Sequence, residues 1–207
     1  YQITTLYQLA MTNGSLDVEK LALLILNGQG LRITDMVTAL SASLANSVGT
    51  SGADLTVDNW YSAMFQLTLS LVPPPYYAVL HQQQLNDLRT SIRGEGGAIQ
   101  YQQATADMLV QRGPGFQGNF LGVDIFSSDS VPTANGGADR DGMMYGRGCF
   151  VYTDAPVPLP IPESSPGAQV MGNKLLLEID RNKRMASTAL IGHYLIAVGE
   201  AEDLRGV

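Results

Sequence analysis

The chain has 207 residues, 45% of them hydrophobic and only 15% charged, with a formal net charge of −7. That length can hold one large domain or two modest ones and bury roughly 70% of the extended-chain surface, while the acidic balance excludes a basic nucleic-acid reader, because phosphate binding rests on clustered Lys and Arg. A charged share below the usual figure of about 25% suits a protein whose faces are covered by neighbours, although a soluble enzyme rich in Gly, Ser, Thr and Gln would share it.

One cysteine, Cys149, cannot form an intrachain disulfide. The apolar run Leu21–Leu26 falls far short of the ~20 residues that span a bilayer, and no charged segment precedes a signal-like stretch. The chain therefore reads as soluble and intracellular, with no membrane partner. It starts at Tyr1 and not Met, so the polypeptide is expected to be processed or part of a longer one.

In chain order, the apolar run from Leu16 to Asn27 has Asp17, Glu19 and Lys20 near its start and Gly28 and Gly30 after it, which predicts a helix stopped by the glycines. Thr34-Asp35 then leads into Met36, Val37, Leu40, Leu44 and Val48. Their spacing predicts an amphipathic helix over 34–48, capped by Thr34 and closed by Gly49. After a small-residue break at 50–53, Thr56 caps a second helix whose Val57, Trp60, Tyr61, Met64, Leu67 and Leu71 form a wide apolar face to be buried on one side. Pro73-Pro74-Pro75 ends it, and Tyr76–Leu80 follows as a short strand. His81–Ile92 is helical through Leu85, Leu88 and Ile92 until Gly94, Gly96 and Gly97 stop it.

The second half is richer in strands. Phe116–Phe126 is β-prone, with a bulge or close backbone approach expected at Gly118 and Gly122, and Ser127–Gly142 has the composition of an exposed loop. Gly148–Tyr152 is a further strand. Pro156, Pro158, Pro160, Pro162 and Pro166 make Ala155–Gly167 an extended domain crossover. Lys174–Asp180 alternates as a half-buried strand, and Ser187–Gly199 is a long β-prone run. No repeat of solenoid or propeller length occurs, and helices and strands mix without regular βαβ alternation, so the class is α+β.

Motifs that carry chemistry are missing. His81 and His193 lie outside any metal-ligand spacing. Asp139-Arg140-Asp141-Gly142 resembles the start of a calcium loop but lacks the later oxygen ligands. There is no G-x-S-x-G, and Cys149 in its apolar β context reads as a buried, inert thiol. Gly94-Glu95-Gly96-Gly97 follows a helix and lacks the Lys-Ser/Thr of a phosphate loop. Trp60, on its apolar stripe, is a core residue. No catalytic residue, metal or cofactor is predicted; a hydrolase would have to join His81 or His193 to a carboxylate and a nucleophile. Arg89 and Arg93, four apart on one helical face, can bind an acidic neighbour or stay solvated.

Three segments in fixed order resemble the tailed-bacteriophage major capsid protein family, whose fold encapsulins share. They are LTVDNWYSAMFQLTLSLVPPPYYAVLHQQQLNDLRTSI (Leu55–Ile92), GNFLGVDIFSSDSVP (Gly118–Pro132) and KLLLEIDRNKRMASTALIGHYLIAVGEAEDLRGV (Lys174–Val207). The resemblance implies a peripheral domain over 1–49 with a spine helix at 34–48, an axial domain over 50–160, a return to the peripheral domain over 161–194, and a final strand over 195–207 that rejoins the axial domain. By the same resemblance, most of the family's N-terminal arm and extended hairpin loop is expected to be missing ahead of the spine helix, either cleaved or abbreviated in this lineage.

The implied function is that of a coat protein, not an enzyme. It would assemble with its own copies into the pentamers and hexamers of an icosahedral head around double-stranded DNA, in the virion after assembly in the host cytoplasm. Scaffolding, portal and decoration proteins are further implied partners, and DNA would be touched only non-specifically. An encapsulin-type compartment shell is the alternative, and a hydrolase the remote one. Under the coat reading, the helix His81–Arg93 and a flexible loop Ser127–Gly142 sit at contacts within a capsomer. Arg89, Arg93, Asp129, Asp139, Arg140 and Asp141 are then the candidate subunit-contact residues.

Overall fold

A computed structural model describes residues 2–4, 18–94, 101–113, 115–155, 169–171, 175–182 and 187–207. The chain divides into two compact units, Tyr1–Ile33 with Tyr152–Ala197, and Thr34–Val151 with Val198–Val207. The proline-rich crossover predicted at 155–167 lies, but for Ala155, outside the described residues, as do Gly96 and Gly97.

The first long element differs from expectation. Helix α1 runs unbroken from Val18 to Thr38, through both Gly28 and Gly30. A helical glycine costs about 1 kcal/mol relative to alanine but does not stop propagation unless it turns left-handed, and neither of these two does. Thr34 is therefore an interior residue and not a cap. The helix gives way to a 3-10 turn at Ala39–Ser43 and an extended Leu44, so the helix predicted over 34–48 ends at Thr38. There the Thr38 hydroxyl donates back to the carbonyls of Thr34 (3.0 Å) and Asp35 (3.2 Å) and across to Ser130 (2.8 Å). Such back-bonding competes with helix continuation, and the Ser and Asn residues that follow favour turns.

One sheet is built from β1 (Gln2–Thr4), β12 (Ser187–Glu200), β11 (Leu175–Asn182) and β10 (Gln169–Met171) in that order, all antiparallel, with β9 (Phe150–Ala155) also paired to β12. The Tyr152 and Tyr194 hydroxyls, 2.6 Å apart, tie β9 to β12. The two predicted C-terminal strands are thus β11 and β12, which pair directly, Leu177 opposite Gly192.

The unit Thr34–Val151 with Val198–Val207 holds a five-stranded mixed sheet ordered β3 (Tyr101–Gln103), β4 (Phe116–Phe120), β5 (Val123–Ser127), β2 (Tyr76–Leu80), β8 (Met143–Gly146), in which only β2 and β5 run parallel. Helices α2 (Val57–Leu69) and α3 (Gln82–Gly94) cover one face. Their Trp60, Leu67, Leu85, Leu88 and Ile92 meet Ala78, Leu80, Phe120, Val123, Ile125 and Met144 in the core, and burial of each large apolar side chain contributes about 1.5–3 kcal/mol. Thr56 caps α2 as predicted, accepting from the Asn59 amide at 3.2 Å.

Strands β4 and β5 form a hairpin with the bulge where expected: the register shifts between Phe116 and Gly118. A side chain on Gly118 would collide with the Gln102 carbonyl oxygen. The turn Leu121-Gly122 has positive φ at both residues, 54° and 83°, which matches the right-handed strand twist. A short helix α4 (Ala106–Arg112), capped by Thr105, was not foreseen. It lies against β4. The hairpin also carries a polar network, in which Asn119 bonds Asp124 (2.8 Å) and the Gly122 amide (3.0 Å), while Arg112 pairs with Asp124. Val207 exchanges two backbone hydrogen bonds with Met144, at 2.8 and 2.9 Å.

Candidate subunit-contact site

The segment 127–142 is held at several points. Within it Thr133–Ala134 (β6) and Asp139–Arg140 (β7) pair as a small hairpin. The Asp139 carboxylate accepts the Gly52 amide at 2.7 Å and the Ser51 hydroxyl at 3.2 Å. The Gly52 N–H, which favours the ionised form, holds the Asp139 carboxyl below the usual carboxylate range; slight desolvation opposes this, and the Asn135 and Ser51 side chains add to it. The Arg140 carbonyl accepts the Gln84 amide at 2.8 Å, and its guanidinium reaches the Val131 carbonyl at 3.5 Å. With Thr38 bound to Ser130 as well, the segment is hydrogen-bonded to the 50–53 turn, to α3 and to the end of α1.

Gln84 belongs to a second arrangement that explains His81. The imidazole Nδ1 accepts the Gln83 amide at 3.2 Å, and Gln84 Oε1 accepts the His81 amide at 3.1 Å. Together they form a capping box with histidine in the usual Ser/Thr place. His81 thus starts α3, with its Nδ1 engaged as the capping acceptor. A side chain on Gly142 would stand 2.8 Å from Gln84 Oε1, so this glycine is what lets the loop press on the cap.

The candidate contact residues fall into two groups. Arg89 is partly buried and faces inward: it donates to the Tyr101 hydroxyl at 2.9 and 3.2 Å and to Gln117 at 3.4 Å, with its guanidinium carbon 5.5 Å from the Tyr101 ring centre. Asp139 and Arg140 are also half-buried with internal partners. Arg93, Asp129 and Asp141 are exposed. Arg89 and Arg93 border a groove of about 650 Å³ that includes Gln103, Leu109, Phe116 and Gln117.

A second cavity of about 430 Å³ lies between the 41–48 segment and the sheet, lined by Trp60, Asn59, Leu80 and Met144 among others. The Trp60 indole N–H and the Ser41 hydroxyl are buried there without a hydrogen-bond partner among the described residues, a setting that ordered water commonly satisfies. Cys149 is fully buried, and its thiol is pushed up to about 12 by burial first and then by the Glu200 and Asp203 carboxylates. That is the reverse of an activated nucleophile. Among the described residues no cluster of His, Cys, Asp or Glu is placed to hold a metal ion, and no helix is long and apolar enough to cross a membrane.

Side chains that the spacing assigned to the core are outside it. Tyr61 and Leu71, read as part of the buried face of α2, are exposed, as are Phe65 and Leu69. The signal available was the i, i+4, i+8 spacing of Tyr61, Phe65 and Leu69, which sets a second apolar stripe opposite Val57, Trp60, Ala63 and Leu67.

No protein-family model matches the chain, and no curated protein does. Solved structures do match. A chain from Mycobacterium phage Che8 superposes over 100% of this chain and 66% of its own length, with a TM-score of 0.62 at 16% identity. The holo-SrpI encapsulin complex from Synechococcus elongatus PCC 7942 matches over 99% of this chain and 69% of its own, with a TM-score of 0.66 at 17% identity. The capsid of cyanophage P-SCSP1u gives 100% and 68%, with a TM-score of 0.60 at 13% identity. The chain thus spans about two thirds of the length of each, and at such identities the likeness is one of fold. The chain has the α+β fold that tailed-bacteriophage capsid proteins share with encapsulins.

Proposed function

We propose that the chain is the coat subunit of a tailed-phage head, whose copies form the pentamers and hexamers of an icosahedral shell enclosing double-stranded DNA. The observation that carries this reading is the agreement with a cyanophage capsid over the whole chain and not merely over one motif. In this reading the axial role falls to the unit Thr34–Val151 with Val198–Val207 and the peripheral role to Tyr1–Ile33 with Tyr152–Ala197, beside the divisions at 49/50, 160/161 and 194/195 expected from sequence.

In this proposal Arg93, Asp129 and Asp141 sit at the polar rim between neighbours. Arg89, Asp139 and Arg140 act from behind by fixing Tyr101 and the 127–142 hairpin. Scaffolding, portal and decoration proteins are the further partners, DNA is contacted without sequence preference, and the mature location is the virion. The work is tiling, with no reaction catalysed.

An encapsulin-type compartment is the second reading, favoured by the 0.66 TM-score to an encapsulin. Electron microscopy and light scattering of the full-length protein test the shell: closed particles or capsomers are expected, and a monomer at high concentration overturns both readings. Particles isolated from the native source then separate the two, since a head contains double-stranded DNA and a compartment contains protein cargo.

A further inference from the structure

We infer that neighbouring copies pack the outer stripe of α2 against α4, head to tail, at the centre of each intracapsomer contact; this rests on the shell reading above. Along α2 the solvent-facing side chains Tyr61, Phe65 and Leu69 are 49%, 60% and 60% exposed, and Leu71 just beyond the helix is 89% exposed. Positions 61, 65 and 69 lie one above another on a helix and form a single apolar strip, with Leu71 a further exposed apolar residue just past the helix end. Its area is roughly 300–400 Å², within the range of the largest apolar patch on an ordinary monomer.

The same unit carries a second apolar spot on another side. On α4, Val110 is 87% and Leu109 38% exposed. Two observations place the spots apart. Along the sheet, α2 runs from β4, where Trp60 meets Phe120 with ring centres 5.9 Å apart, to β8, where Val72 packs on Gly146, so the Leu69 end of the strip lies toward β8 whereas α4 lies against β4. These strands stand three places apart in the order β4-β5-β2-β8, about 14 Å at the usual strand spacing. Across the sheet, α2 packs on the face shown by Val123 and Ile125, whereas Arg112 of α4 pairs with Asp124 between them, and alternate residues of a strand point to opposite faces.

One apolar strip alone would suit a two-fold dimer. Two different spots on opposed sides of one unit suit a heterologous contact, in which every copy offers its α2 strip to one neighbour and its α4 spot to the other, and which closes as a ring. The area agrees: covering the strip supplies a little under half of the ~800 Å² per partner of a standard interface, as its apolar centre. Arg93 and the groove beside Leu109 then form part of the polar rim.

The test uses full-length protein carrying Phe65→Asp, Val110→Lys, or both. Both side chains are mostly exposed, so each variant should melt as the parent does. Each single change is expected to cut capsomer and shell yield at least tenfold by sedimentation and electron microscopy. The double variant is expected to recover assembly at low salt, because every contact then opposes an Asp with a Lys. Assembly of both single variants at parental yield, or failure of the double variant to recover, overturns the inference while the assembling parent leaves the shell reading intact. A parent that never assembles overturns both.

Discussion

Replacing Leu71 by glycine should stabilise the unassembled protein. Helix α2 ends at Leu69 with Ser70 as its C-cap, after which Leu71 takes a left-handed backbone with φ of 55°. The Val72 amide bonds back to the Leu67 carbonyl at 3.1 Å and the Leu71 amide to the Thr68 carbonyl at 3.0 Å, the paired bonds of a Schellman ending, with Val72 and Leu67 both buried beneath them. The position asks for glycine, and a side chain with a β-carbon there costs about 1–2 kcal/mol. Against that gain stands the greater freedom of glycine in the unfolded chain, about 0.4–1 kcal/mol. Little packing is lost, because Leu71 is 89% exposed. The balance is roughly 0.5–1 kcal/mol in favour of glycine, or about 1–4 °C in Tm for a chain of this size. Calorimetry of Leu71→Gly beside Leu71→Ala separates the β-carbon from the rest of the side chain, since alanine removes the apolar tail but keeps the strain. A rise with glycine alone supports the reasoning; an unchanged or lower Tm with glycine refutes it.

Gln84→Ala removes both the back-bond to the His81 amide and the tie to the Arg140 carbonyl, and should lower unfolding free energy by about 1–2 kcal/mol in urea melts, with faster amide exchange in 133–140 than in β4 and β5. Asp139 has a folded-state pKa below its unfolded value, so its contribution is present above the unfolded carboxyl pKa of about 3.9 and lost as pH falls through the folded one. Asp139→Asn should therefore melt earlier than the parent at pH 7, with the gap closing as the pH falls through the folded-state pKa. Asp87 is the opposite case: burial first and the Asp54 carboxylate second raise its pKa, so its contribution is complete below the unfolded value and lost as pH rises through the folded one. Asp87→Asn should accordingly melt above the parent at pH 7 and level with it at pH 3, as thermal scans at the two pH values would show.

Elements bounded by strong local chemistry were legible in the sequence. Thr56 before α2, the three prolines before β2 and the glycines of the β4–β5 hairpin each impose a backbone geometry that little else can override. The end of α1 was not legible, because it depends on a hydrogen bond from Thr38 to Ser130, a partner 92 positions away. Gly28 and Gly30 were misleading in the other direction, each a modest penalty that a 21-residue helix absorbs. Helix α4 spans only two turns, and its apolar residues Met108, Leu109 and Val110 are consecutive, so no period announced it.

The contact residues were the least legible, for a reason visible in Arg89 and Leu71. Arg89 and Arg93 share a helical face in the sequence, yet α3 lies so that Arg89 meets the Tyr101 hydroxyl while Arg93 stays in water. A charge pattern fixes the face of a helix but not which part of that face the neighbouring strand covers. Leu71 shows the same on the apolar side, since the spacing from Leu67 places it on the core stripe only if the helix continues. Pro73 disfavours a helical conformation at Val72, the chain turns left-handed at 71, and the one residue that would have extended the core becomes the most exposed of the large apolar side chains described. A tiling surface of this kind consists of what the fold leaves uncovered, and it becomes readable only once every internal partner has been found.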